Sequence, residues 1–233
     1  MSAELVAPQR PEIAWEWASK KQWLAYTAPA ERVLFLVGGM NAGKTLVHCR
    51  KIIDFLLRFP GYRQLIIRKI GSQMRDTVMT TFYAELPKQY IAKRDDREGF
   101  CELINGSRVK FQHLDKPDSM GALLSLEVNG IYINEAVELE PKAFDAAMRR
   151  VGRWTKAYVA PSIVAEYETE HGKAWPWKLP TGQVMPPPLR LLDSNPGEDE
   201  KHWLYQRFYE SSTERHKKHI PELGPDRKPT GRM

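Results

Sequence analysis

Gly38-Gly39-Met40-Asn41-Ala42-Gly43-Lys44-Thr45 decides how this chain is read. It satisfies every fixed position of the G-x-x-x-x-G-K-[ST] phosphate loop. The flanks agree with it. Val33 to Val37 is an unbroken apolar run of the kind that forms a buried strand. Thr45 to Phe59 carries Val47, Ile52, Ile53, Phe55 and Leu56 at helical spacing and is closed by Pro60-Gly61. Glycines allow backbone N–H groups to turn inward around phosphate oxygens, and the following helix presents the positive end of its dipole. In such a loop the lysine reaches the β- and γ-phosphates and the threonine hydroxyl ligates Mg2+. Gly38 to Thr45 is therefore the candidate nucleotide cradle, with Lys44 on the phosphates and Thr45 on the metal. The plain alternative is a glycine turn without a ligand, but a lysine at its mouth then has little structural use.

A second motif follows about ninety residues on, Gly130-Ile131-Tyr132-Ile133-Asn134-Glu135-Ala136. An apolar strand ending in a polar pair is the other half of a P-loop site. The first position normally holds Mg2+ through water, and the second orients and activates the attacking water. Glu135 is the candidate catalytic base. Asn134 stands where an aspartate is usual. It can hydrogen-bond a metal-bound water but brings no charge, so either the Mg2+ site is weak or another carboxylate assists.

Working outward, Glu12 to Tyr26 reads as a helix, Gln64 to Ile70 as a buried strand and Ser72 to Leu86 as a helix stopped by Pro87. Phe100 to Ile104 and Arg108 to Leu114 flank Asn105-Gly106, the pattern of a two-residue hairpin turn. Val128 to Ile133 is a strand, Pro141 to Val151 a helix, Ala157 to Ile163 a further strand, Leu189 to Asp193 the last core strand and Glu198 to Tyr209 a helix. Strands alternating with helices make this an α/β chain with a mostly parallel sheet and helices on both faces. Residues 1–213 read as the P-loop domain. Within it, 1–11 is a polar arm and 165–188 a long excursion rich in Trp, Pro and charge. Residues 214–233 read as a basic, proline-containing tail.

Composition sets the limits. The 233 residues are 42% hydrophobic and 27% charged, which suits a globular core and not a disordered chain. No apolar run is long enough to span a bilayer, and the start carries no basic stretch leading into an apolar one, so neither membrane nor secretion is expected. Two cysteines, Cys49 and Cys101, lack metal-ligand spacing and fit a reducing cytoplasm. The net charge of +6 allows a polyanionic partner, although the last twenty residues hold six Lys or Arg against three Asp or Glu and so half of it.

Leu191-Leu192-Asp193-Ser194-Asn195-Pro196, followed by His202-Trp203-Leu204 and Phe208, resembles the coupling motif of the large subunits of tailed-phage terminases. Leu65-Ile66-Ile67-Arg68-Lys69 with Met74-Arg75-Asp76 is similar to their second strand and its helix. Arg150-Val151-Gly152-Arg153-Trp154 is similar to the stretch after their acidic motif. Gln22 lies where the family often reads adenine. The resemblance runs from about Gln22 to Phe208. It implies a P-loop ATPase of the additional-strand, catalytic-glutamate type, using ATP and Mg2+, in which Asn195 senses the γ-phosphate. It also implies a homo-oligomeric ring on the portal protein of a procapsid, a terminase small subunit as partner, and sequence-independent contact with double-stranded DNA. The setting would be the bacterial host cytoplasm, transiently the procapsid. The family's nuclease domain would need more chain than this, so no nuclease activity is expected here.

There are departures. Met40 stands where terminases often place an arginine inside the loop, and Met120-Gly121 where many have Arg-Gly. Phosphoryl transfer gains from an arginine near the γ-phosphate. Arg150 and Arg153 are the candidates, in cis or from a neighbouring subunit, with Arg68 and Arg75 as others. Lys156, Lys173 and Lys178 among Trp154, Trp175 and Trp177 are either a DNA or subunit contact or a packed loop with solvated lysines. Two other functions fit parts of the pattern: a helicase-like P-loop translocase, and a nucleotide-binding scaffold without hydrolysis.

Overall fold

The computed structural model of this chain describes residues 13–30, 33–115, 119–195 and 202–210. The apolar run after the first helix forms β1 (Val33–Val37), and the chain passes through the glycine loop into α2 (Lys44–Arg58). Ahead of them, α1 (Lys20–Thr27) is shorter than the expected 12–26 helix. It starts where Ser19 accepts a hydrogen bond from the Gln22 N–H. Next come β2 (Arg63–Arg68) and α3 (71–85), a helix with a π-helical stretch over Met74–Met79. An antiparallel edge follows: β3 (Ile91–Asp95), β4 (Phe100–Leu103) and β5 (Arg108–His113). The remaining elements of this part are α4 (Ser119–Leu124), β6 (Gly130–Ile133), α5 (Pro141–Met148), α6 (Pro161–His171) and β7 (Arg190–Ser194).

The seven strands form one sheet in the order β1-β7-β6-β2-β5-β4-β3. The first five are parallel, and β4 and β3 continue the sheet antiparallel. β7 stands between β1 and β6, which is what an additional-strand layout requires. Side chains alternate between the two faces of the sheet as the pleat dictates, and on the central strands both sets are buried. Ile66, Tyr132 and Leu191 join one core with Ile52, Ile53 and Leu56 of α2 and Val78 and Phe82 of α3. Their neighbours Leu65, Ile67, Ile131, Ile133 and Leu192 are equally buried on the other face. Both faces are therefore covered. No helix among the described residues is long and apolar enough to cross a membrane.

Three local expectations are corrected. The hairpin between β4 and β5 is not a two-residue turn. Gly106 N–H reaches Leu103 O and Leu103 N–H reaches Ser107 O, with only Gly106 at positive φ (77°). That is a turn followed by a left-handed glycine. Asn105 is used instead to cap α2, its Nδ2 donating to Leu56 O at 2.8 Å. Ala157 to Ile163 is not a strand. The chain is extended only to Ala160, after which Pro161 at the first turn starts α6, ended by Gly172 at φ 61°. The excursion is thus in part a helix, and Tyr167, Trp175 and Trp177 pack edge to face with Trp175 buried. Those tryptophans serve packing, while Lys156, Lys173 and Lys178 are exposed around them.

The chain divides into two units, 1–196 and 197–233. In the second, α7 (Trp203–Tyr205) runs on into a π-helical turn, Gln206–Glu210, and His202 Nδ1 accepts from Leu204 N–H. The arm 1–11, Pro196, the first residues of the expected 198–209 helix and the tail 214–233 lie outside the described residues.

Candidate nucleotide site

The loop is built by backbone freedom. Gly38 N–H donates to Ser194 O, tying its start to β7, and Ala42 N–H turns back to Gly39 O. Asn41 (φ 61°) and Gly43 (φ 77°) both take the left-handed conformation, and a Cβ at Gly43 would lie 2.3 Å from the Gln22 amide. Met40 is at the exposed tip. α2 begins at Lys44 with no side-chain cap, so its first N–H groups remain available to an anion. Gln22 sits against this loop, its Nε2 donating to Ala42 O at 3.3 Å while its Oε1 accepts from Ala18 N–H.

Lys44 lies back over the loop. Its Nζ donates to Gly38 O (2.7 Å), Gly39 O (3.0 Å) and Asn195 Oδ1 (3.1 Å). Asn195 then donates from its backbone N–H and its Nδ2 to the two oxygens of Glu135, at 3.0 and 3.1 Å. Lysine, asparagine and glutamate form one hydrogen-bonded chain across the ends of β1, β7 and β6. Glu135 is held in the left-handed conformation (φ 51°, ψ 57°), rare and costly for a residue with a side chain. This places its carboxylate toward the loop and not away across the sheet.

Beneath this chain lies Asp193, a residue to which the sequence motif assigns no role. It is fully buried on β7. Its Oδ1 accepts from the Glu135 N–H (2.8 Å) and Asn134 Nδ2 (2.9 Å). Its Oδ2 accepts from the Tyr132 hydroxyl (2.6 Å) and, at 3.5 Å, from the Thr45 hydroxyl. Burial pushes its carboxyl above the usual range, and the hydrogen bonds from Tyr132, Glu135 and Asn134 act against that. The signal available in the sequence is an acidic residue inside an otherwise apolar strand. Asn134 faces two ways: Nδ2 toward Asp193 and Thr45, Oδ1 toward Arg68 Nη1 at 2.7 Å. Arg68 also bonds Thr77 and Gln73, which fixes it at the tip of β2 beside the site.

The candidate arginines separate. Arg68 is at the site. Arg75 is exposed on α3 and makes none of these contacts. Arg150 and Arg153 lie at the opposite ends of the strands. Val151 bridges Val128 ahead of β6, Arg150 Nη1 donates to Leu124 O and Arg153 Nε to Arg149 O. The structure does not bring them to Gly38, Asn134 and Asn195, because parallel strands carry those residues to the other end.

One helical turn after Thr45, His48 is fully buried, with Nε2 2.9 Å from Leu192 O and its ring against Tyr132. Burial drives it down to about 3, so it is neutral in the native protein.

The sequence model of the family described as phage terminase large subunit matches residues 30–158. The fold matches that of the large terminase of a thermophilic bacteriophage at 14% identity and TM-score 0.60, covering 84% of this chain and 43% of that one. The same terminase solved with ADP matches at 14% identity and TM-score 0.57, with 84% and 43% covered. Its complex with ATP-gamma-S matches at 15% identity and TM-score 0.57, with 84% and 42% covered. This chain thus spans less than half the length of those proteins. No curated protein matches it in sequence.

Proposed function

The chain belongs to the phage terminase large subunit family, and from that premise we propose that it is an ATP-hydrolysing motor domain driving double-stranded DNA into a procapsid. The observation that supports this most directly is the chain Lys44–Asn195–Glu135. In it a lysine for phosphate, an amide able to report on it and a carboxylate for water are joined without an intervening group.

The roles follow from the contacts. A triphosphate on the loop amides competes for Lys44, which now rests on Gly38 and Gly39 carbonyls. Once Lys44 leaves Asn195, the amide oxygen loses its donor, and the Asn195–Glu135 pair is free to reorganise. Glu135 takes the proton from the attacking water. Asn195 is thereby the sensor, and its place at the end of β7 links the phosphates to the chain that follows. Gln22, which lies against Ala42 and Gly43, meets the nucleotide base in this proposal. The donor set suits Mg2+: Thr45 offers a hydroxyl, Asn134 an amide and Asp193 a charge close behind both. Mg2+, held near Thr45, Asn134 and Asp193, would neutralise negative charge on the phosphates. Arg68 is the cis arginine closest to this group of residues. Arg150 and Arg153, away from this group, act on a neighbour's nucleotide in a homo-oligomeric ring.

The rest of the proposal concerns partners. DNA, portal protein and terminase small subunit are the expected ones, in the bacterial cytoplasm and on the procapsid. Steady-state phosphate release is the test. Mg2+-dependent ATP turnover that vanishes in Lys44→Ala is expected. ATP binding with no turnover, even with DNA and portal present, would replace the motor by a nucleotide-binding scaffold.

A further inference from the structure

The acidic strand lacks its acid. At the end of β6, Asn134 occupies the position from which P-loop enzymes usually bring a negative charge to Mg2+. Mg2+ keeps most of its water and is held by few protein groups, so the loss of one charge matters. A carboxylate is nevertheless present. On the adjacent strand β7, Asp193 lies within 2.9 Å of the Asn134 Nδ2 and 3.5 Å of the Thr45 hydroxyl. It is fully buried, and the charge of Lys44 bears on it without a hydrogen bond or ion pair between the two among the described residues. Burying a carboxylate carries a heavy desolvation cost. A neutral asparagine there could accept the Glu135 N–H, but its Nδ2 would face the Tyr132 and Thr45 hydroxyls, so the four donors favour a carboxylate over an amide. Two of those four donors, Thr45 and Asn134, are also the groups proposed to hold the cation, so the charge they stabilise stands directly behind that site.

We propose that Asp193 supplies the negative charge of the Mg2+ site that β6 does not, acting on the cation through Thr45 and Asn134 as a positioning residue. The charge has moved one strand over while the shape of the site is kept. The geometry accounts for both sides of Asn134. Its Nδ2 is directed at Asp193, and its Oδ1 takes Arg68, so the amide relays between a negative and a positive group. The same carboxylate holds the Glu135 N–H at 2.8 Å, coupling the cation's charge to the backbone of the proposed base. This inference rests on the nucleotide-site reading above.

The exchange of the two residues tests it. Asp193→Asn removes the charge. Asn134→Asp together with Asp193→Asn restores it on β6 with nearly the same atoms and hydrogen bonds. The affinity of the whole chain for N-methylanthraniloyl-ADP is measured by fluorescence with Mg2+ and with EDTA, and melting without nucleotide reports folding. In Asp193→Asn the ratio of the two affinities is expected to fall about tenfold or more, the usual effect of losing an outer-shell metal partner. In the exchanged pair it is expected to return to near the wild-type ratio. An unchanged ratio in Asp193→Asn, with both affinities falling alike, would make Asp193 a purely structural residue and overturn the proposal. So would a folded exchanged pair that lacks the Mg2+ effect. Should Asp193→Asn fail to fold, the exchanged pair against wild type still decides. Wild type that binds the probe under neither condition overturns the nucleotide site itself, and this inference with it.

Discussion

At the carboxyl ends of β1, β7, β6 and β2 the side chains leaving the sheet are polar and are held chiefly by one another. At the amino ends of β2 and β5 they are arginines lying on aromatic rings. Arg63 stacks 3.2 Å from the Trp154 ring centroid and Arg108 4.0 Å from that of Phe100. Trp154 Nε1 donates to Gly61 O, and Asn129 joins the Arg63 N–H to the Trp154 carbonyl. Every one of those contacts is an ordinary packing gain. The other end carries two costs, a left-handed glutamate and a buried aspartate. Costs of this kind persist where function requires the arrangement. The strained, polar end is where we propose the site, and the aromatic end is packed without such strain in its backbone.

Three experiments put that contrast at risk. The largest effect is expected from Glu135→Ala, which should lower turnover by about a thousandfold or more, in the range of a lost general base. It should leave nucleotide affinity nearly unchanged. Normal turnover in this variant would remove Glu135 as the base. Trp154→Ala comes next. It should cost about 2 kcal/mol of stability in urea unfolding, from lost packing under Arg63, with nucleotide affinity of the folded protein intact. A drop in affinity would mean that the two ends are coupled. The smallest effect concerns acid. His48 is held at about 3, well below the unfolded value near 6.5, so between these pH values the unfolded chain binds the extra proton. Stability is lost as pH falls through that window, at up to about 1.4 kcal/mol per pH unit from this group. His48→Gln should flatten the slope measured between pH 6.5 and 4.5. An unchanged slope would show that other groups set it.

The parts legible from residue order are those with a local physical signal. An apolar run, a glycine loop and an amphipathic helix reveal β1, the cradle and α2 without reference to the rest of the chain. β3 is invisible in the sequence because Ile91-Ala-Lys-Arg-Asp has no apolar alternation. It is an edge strand made by its pairing with β4. α6 reads wrongly because Ile163 and Val164 at its start continue the apolar pattern of the extended segment before it and none of its residues is fully buried, leaving only Pro161 and Gly172 as markers. Among the site residues, Lys44, Thr45, Asn134, Glu135 and Asn195 stand out by motif and do meet. Arg150 and Arg153 stand out in the same way and do not. A motif carries a residue's type but not the strand end to which it is delivered.

Residue order alone fixes the phosphate loop, the lack of an acid at Asn134 and the alternation that makes an α/β sheet, since each depends on neighbours a few positions apart. The insertion of β7 between β1 and β6 arises only on folding. That insertion brings Asp193 beneath Asn134 and Asn195 beside Glu135 across some sixty residues of sequence. Hydrogen bonds and charge act through a few ångströms of space, and only the pairing of parallel strands sets which distant residues share it.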